Sequence, residues 1–147
     1  MNLSNFSESL LELITEHNLT PATFAKQIGC GKGTISRYLN EKKTPTIEKL
    51  ILMADFFNCS IDYLLGREIE RYPNTFYPCP PFQERLPKLC EQLQITKYRL
   101  QKETGIAESA IYNWQNGTAS PNTENILKIA KAFECSVDFV LGRSKNL

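Results

Sequence analysis

Histidine and tryptophan each occur once in the 147 residues, and methionine twice. The one histidine, His17, has no nucleophile near it in sequence, and no histidine cluster is available for a metal. No glycine-rich phosphate loop is present either. Catalytic residues, metal sites and cofactors are therefore not expected, and the chain does not read as an enzyme. Long apolar runs are missing as well. No stretch approaches the roughly 18 apolar residues of a membrane helix. The opening Met1-Asn2-Leu3-Ser4-Asn5 lacks the basic start and apolar run of a signal peptide. These absences lead to the expectation of a soluble, cytoplasmic chain with no membrane partner. An excess of one charge is also lacking: the formal net charge is +1. Any nucleic-acid binding must then concentrate positive charge on one face. The five cysteines are an odd number without metal-type spacing. Four of them stand where a repeat copy, described next, has a cysteine or another apolar residue, so they read as small buried hydrophobes. Cys79 falls outside the repeat and is the one expected to be exposed.

What the chain has is a duplication. Phe6, Leu10, Leu13, Thr20, Lys26, Gly29, Ile35, Asn40, Pro45, Ala54, Phe57, Cys59, Ser60, Asp62, Leu65, Gly66 and Arg67 all recur 76 positions later, ending at Leu141, Gly142 and Arg143. About 19 of 62 aligned positions are identical, with no gap. A unit of that length is too long for a solenoid repeat and long enough for a small domain. The expected division is a first domain at 1–67, a linker at 68–81 and a second domain at 82–147.

Each copy reads as five short helices with no credible strand. Phe6, Leu10, Leu13 and Ile14 place one apolar face on a first helix, repeated by Phe82, Leu86, Leu89 and Cys90. Pro87 lies within the second version and either starts its regular part or kinks it. Thr20, followed by Pro21, opens a second helix that Gly29 ends; Thr96 and Gly105 do the same in the second copy. A third runs from Lys32 to Asn40 and from Glu108 to Asn116. Pro45 and Pro121 precede a fourth, while Ser60 and Ser136 cap a fifth. The linker holds four prolines and three aromatics. Its 14 residues span at most roughly 46 Å when extended, and Tyr72, Phe76 and Tyr77 suggest that it packs on one of the domains.

The second helix, its glycine turn and the third helix form a helix-turn-helix. The longer pattern Leu19-Thr20…Phe24-Ala25…Ile28-Gly29…Thr34-Ile35-Ser36-Arg37-Tyr38…Pro45…Ala54…Phe57…Ser60…Asp62…Leu65-Gly66-Arg67 resembles the Xre/Cro type of phage-repressor-like DNA-binding domain. So does its second version, from Ile95-Thr96 through Ile111-Tyr112-Asn113-Trp114 to Leu141-Gly142-Arg143. The resemblance implies an all-α chain of two tandem five-helix repressor-like domains, each with its third helix in the major groove of double-stranded DNA. The residues facing base edges would be Lys32, Gly33, Thr34 and Arg37 in one copy and Glu108, Ser109, Ala110 and Asn113 in the other. Arginine and lysine suit guanine, asparagine suits adenine and glutamate accepts from cytosine. Asn40, Lys42, Lys43, Lys97 and Asn116 match positions that would contact phosphate. The family's frequent glutamine at the start of the second helix is replaced here by Pro21 and Lys97. Its small alanine within that helix is Ala25 in one copy and Gln101 in the other.

The copies differ electrically. Segment 31–45 carries Lys32, Arg37, Lys42 and Lys43 against Glu41, whereas segment 107–121 carries only Glu108. The first copy is expected to bind DNA more strongly. Two functions stand: a transcription regulator, a repressor by this resemblance, with two unlike readers, or a protein-interaction module of antitoxin or anti-repressor kind in which only the first domain binds DNA. Leu52 and Phe56, one turn apart where the second copy has Lys128 and Ala132, are either an interface for self-association or a protein partner, or stray surface hydrophobics.

Overall fold

The computed structural model describes residues 1–67 and 76–145. The chain divides into two compact units, Met1–Pro73 and Asn74–Leu147. Among the described residues the only regular elements are helices. The first unit holds α1 (Leu3–Glu16), α2 (Pro21–Ile28), α3 (Lys32–Leu39), α4 (Ile47–Phe57) and α5 (Ile61–Leu64). The second holds α6 (Phe82–Leu93), α7 (Lys97–Thr104), α8 (Glu108–Asn116), α9 (Thr123–Ala132) and α10 (Val137–Leu141). The all-helical, twice-five architecture read from the repeat is the observed one.

The helices are short, and their ends are held by side chains. Thr20 forms a reciprocal cap: its Oγ1 accepts from the Thr23 amide at 3.1 Å, and Thr23 Oγ1 accepts from the Thr20 amide at 2.8 Å. Ser60 and Ser136 each accept from the amide three residues on, at 2.9 Å. Gly29 and Gly105 close α2 and α7 at φ +73° and +72°, a conformation that glycine adopts without penalty. Pro87 lies inside α6 and the helix runs through it. Its missing N–H leaves the Gln83 carbonyl without a helical donor, and both residues lie on the exposed side where water can serve instead.

The core of the first unit joins Phe6, Leu10 and Leu13 of α1 to Phe24 of α2, Ile35 of α3, and Leu50, Met53 and Ala54 of α4, all essentially fully buried. Each of these side chains except the small Ala54 contributes roughly 1.5–3 kcal/mol by leaving water. The Phe6 ring meets Tyr38 edge-on at 5.6 Å. The second unit repeats that joint, with Phe82 edge-on to Trp114 at 5.6 Å. Phe56, on α4, meets Phe24 and Phe57 edge-on at 5.4 and 5.1 Å. Its ring belongs to the aromatic cluster of its own unit, while Leu52 stays exposed.

Cys59, Cys90 and Cys135 are buried, and burial pushes the Cys90 thiol above its ordinary range. Cys30 and Cys79 are both half-buried. The expectation that Cys79 alone would be exposed is corrected here, because residues 76–81 lie against the second unit. The Tyr77 amide donates to the Arg143 carbonyl at 2.8 Å, and the Arg143 guanidinium carbon sits 3.8 Å from the centre of the Phe76 ring.

One internal support has no counterpart in the first copy. Arg85 stands where the first copy has Ser9, and it is buried. Its Nε donates to the Val140 carbonyl at 3.1 Å and its Nη1 to Gln92 Oε1 at 2.9 Å. Its Nη2 donates to the Phe139 carbonyl. Two carbonyls of the last turn of α10 are thereby tied to α6, that of Phe139 in addition to the hydrogen bond it accepts from the Gly142 amide at 3.0 Å. Burial holds the guanidinium below its ordinary pKa.

Each unit also ends on an aspartate–arginine pair, at 2.6 Å for Asp62–Arg67 and 2.7 Å for Asp138–Arg143. The side chain of Arg143 is 1% exposed and that of Arg67 is 28% exposed. Removing one member of a buried pair strands the other away from water. Asp138→Asn is therefore expected to destabilise the second unit by about 3–5 kcal/mol, and Asp62→Asn to cost the first clearly less. Thermal unfolding with amide exchange resolved by unit checks both.

Candidate nucleic-acid interface

At 100° per residue, the eight residues of α3 separate into two faces. Ile35 and Tyr38 point to the core, 0% and 1% exposed. Lys32, Gly33, Ser36 and Arg37 fall on the opposite face and are exposed; Thr34 is half-buried at its edge. Ser7 of α1 donates from Oγ to the Tyr38 carbonyl. A helix this short has little stability alone. It is set from beneath by Ile35, by the Tyr38–Phe6 joint and by this hydrogen bond, so its outer face is presented on a fixed support.

Its ends follow the same logic. Gly31, the N-cap, provides no side-chain hydrogen bond, so the first amides of α3 are left to solvent or a ligand. At the other end Asn40 is the C-cap, one residue beyond the helix, and its Nδ2 donates to Ser36 Oγ at 3.3 Å. Glu41 then takes φ +59°. The Lys42 amide donates to the Arg37 carbonyl at 2.8 Å, which closes the turn. Lys42 and Lys43, both exposed, leave directly from that turn. The exposed face of α3 and the loop after it thus form one basic stretch, Lys32, Arg37, Lys42 and Lys43, with Glu41 inside it.

The second unit builds the same frame with other surface residues. Ile111 and Trp114 anchor α8, 4% and 2% exposed. Glu108, Ser109 and Asn113 are exposed and Ala110 is half-buried. Ala107, like Gly31, provides no side-chain cap. Here Glu108 puts a carboxylate at the helix start, where it suits the dipole. Asn116 is the last residue of α8. Its Oδ1 accepts from the Thr118 amide at 3.0 Å and from Thr118 Oγ1 at 2.7 Å. Gly117 occupies the turn position of Glu41, at φ +80°.

Two features of this surface escaped the sequence reading. Tyr112 shares the exposed face of α8 with Ser109 and Asn113 and is 64% exposed; Tyr98, on α7, is 68% exposed. The helical wheel that selects positions 109 and 113 also includes 112, and the first copy has only Ser36 there. With Lys97, Gln101, Glu108, Ile111 and Gln115 these tyrosines line a cleft of about 230 Å³ between α7 and α8. Gln101 is half-buried in its wall, where the first copy has the buried Ala25. Lys97, the first residue of α7, is half-buried at the same cleft.

Comparison with known proteins agrees with the geometry. Residues 10–64 match a helix-turn-helix family, and residues 85–142 match the Cro/C1-type helix-turn-helix DNA-binding domain. The chain therefore carries two Cro/C1-type helix-turn-helix domains in tandem. It is 34% identical over 61 residues to the uncharacterized HTH-type transcriptional regulator YobD of Bacillus subtilis, covering 42% of this chain and 54% of that one. It is 36% identical over 58 residues to repressor protein C2 of Salmonella phage P22, covering 40% and 27%. It is also 36% identical over 63 residues to the HTH-type transcriptional activator BcrR of Enterococcus faecalis, covering 43% and 31%. The chain thus spans about half or less of the length of these relatives. No solved structure gives a significant match.

The turn after α3 holds Glu41 in the left-handed region. A left-handed non-glycine residue costs roughly 1–2 kcal/mol, and glycine gives back about 0.5–1 kcal/mol of that in chain entropy. Glu41→Gly, which makes the turn like that at Gly117, is expected to raise the unfolding midpoint of the first unit by a few degrees. Calorimetry of the intact chain measures it; an unchanged or lowered midpoint contradicts the reading of this turn.

Proposed function

We propose that the chain is a sequence-specific, double-stranded DNA-binding transcription regulator acting as a repressor, with α3 and α8 as two unlike recognition helices. The observation that carries this reading is the exposed basic face of α3. It stands over a fully buried Ile35 and Tyr38 and continues into Lys42 and Lys43. In this reading Lys32, Gly33, Thr34 and Arg37 face base edges, with Lys32 and Arg37 suited to guanine O6 and N7. Asn40, Lys42 and Lys43 hold the backbone. In the second unit Glu108, Ser109, Ala110 and Asn113 face bases and Lys97 and Asn116 hold phosphates. Unlike helices on one chain read two unlike boxes, or an imperfect palindrome. Linking them raises the effective concentration of the weaker contact. Repression requires only that the DNA be occupied, which two readers accomplish. Such a protein works where bacterial DNA lies, in the cytoplasm; no helix of the described residues is long and apolar enough to cross a membrane.

A second reading rests on the cleft between α7 and α8. Two exposed tyrosines and Glu108 make that surface less phosphate-seeking than its counterpart, and it suits a protein partner. In that case only the first unit reads DNA.

Substitutions in the intact chain separate the two. Arg37→Ala is expected to weaken specific binding by about 1–3 kcal/mol and to relax preference at one base pair. Lys42→Ala should weaken binding to all sequences alike and lower the salt slope by about 0.9. Asn113→Ala should relax preference at a different box. If Asn113→Ala leaves both affinity and sequence preference untouched, the second unit does not read DNA and the partner reading stands. Fluorescence anisotropy across a salt series gives all three results.

A further inference from the structure

The same aspartate–arginine pair closes both units, yet Arg143 is 1% exposed and Arg67 is 28% exposed. What covers Arg143 is the segment before α6. The Phe76 ring lies on the guanidinium at 3.8 Å, and the Tyr77 amide donates to the Arg143 carbonyl at 2.8 Å. Lys145 Nζ stands 4.8 Å from the centre of the Tyr77 ring. Pro80 sits so close to Gly142 that a β-carbon there would come within 3.1 Å of its Cδ. These contacts run along residues 76–80 and fix them to the end of the second unit.

We infer that Phe76, Tyr77 and Arg143 are positioning residues that set how far apart the two DNA boxes can stand. By sequence the tether has 14 residues, from 68 to 81, and could span roughly 46 Å. With residues 76–81 held on the second unit, the chain between that strap and Arg67 is 68–75. At the same extension those eight residues span at most roughly 26 Å. The strap therefore removes about 20 Å of reach, the length of about six base pairs. A shorter reach confines the two readers to closely spaced boxes and raises the effective concentration of the second for the first, while rejecting boxes set further apart. The inference rests on the two-reader function and adds a spacing filter to it.

The test uses the intact chain and duplexes carrying both boxes that it selects, with the intervening spacer lengthened one base pair at a time. Wild type is compared with Phe76→Ala, which loosens the strap, and with an insertion of six Gly/Ser residues between Pro73 and Asn74, which lengthens the tether with the strap in place. All three meet the same rotational phase at each spacer, so the comparison isolates reach. The expected result is equal affinity at the selected spacing and at least tenfold tighter binding by both variants at spacers beyond the wild-type limit. An insertion that extends the limit while Phe76→Ala falls off with wild type overturns the strap. Exchange of the Tyr77 amide, read in wild type without DNA, decides independently of whether Phe76→Ala folds. Protection of at least tenfold over an open chain supports the strap, and exchange at the open-chain rate overturns it. If no variant gains anything from a second box while Tyr77 stays protected, it is the two-reader function that fails, and the spacing role falls with it.

Discussion

Everything on the candidate DNA surface depends on one buried joint per unit, the edge-on meeting of an aromatic from the first helix with an aromatic near the end of the third. Phe6 and Tyr38 form it in one unit, Phe82 and Trp114 in the other, with the ring centres 5.6 Å apart in both. A helix of eight or nine residues, such as α3 or α8, does not hold its shape alone in water. The joint, with Ile35 or Ile111 beside it, turns that fragment into a rigid ridge whose outer residues can vary freely. Tyrosine exchanges for tryptophan across the copies and the ring separation stays the same, so the constraint is the position of the helix and not the identity of the ring.

That separation of inner from outer face explains how one architecture carries two surfaces. Beneath α3 and α8 the residues agree in kind; above them Lys32, Gly33, Thr34 and Arg37 face Glu108, Ser109, Ala110 and Asn113 across the alignment. The turn after the helix keeps its hydrogen bonds in both units, yet one uses Glu41 and the other Gly117 at the left-handed position. The loop beyond it carries Lys42 and Lys43 in one unit and Thr118 and Ala119 in the other. Positive charge around the third helix is thus concentrated on the first unit, while the second adds exposed tyrosines and a cleft. Shape is held in common and electrostatics is not.

The helices and their order were legible because local rules agree at each boundary: Thr20, Ser60 and Ser136 cap, Gly29 and Gly105 terminate, and the apolar spacing marks each inner face. The exposed stripe of α3 followed from the same periodicity. Less visible were features that need distant residues to meet. Arg85 looks like a surface arginine on α6 until α10 brings two carbonyls to it. The aromatics of the linker pointed to packing on one of the domains, but only the fold shows that Phe76 meets Arg143 and that Cys79 is half-buried with it. Tyr98 and Tyr112 are unremarkable in isolation, and only the packing of α7 on α8 around Gln101 makes them walls of one cleft. Phe56 read as surface in the spacing of α4, because no local pattern places Phe24 beside it.

The central claim is that two unlike recognition helices on one chain read two unlike DNA boxes. Selection of bound sequences from a random duplex pool by the intact chain tests it most directly. The account predicts that the selected duplexes contain two different short boxes at a narrow spacing, the stronger one lost with the basic face of α3. Recovery of one box alone, or of no sequence preference, would contradict it.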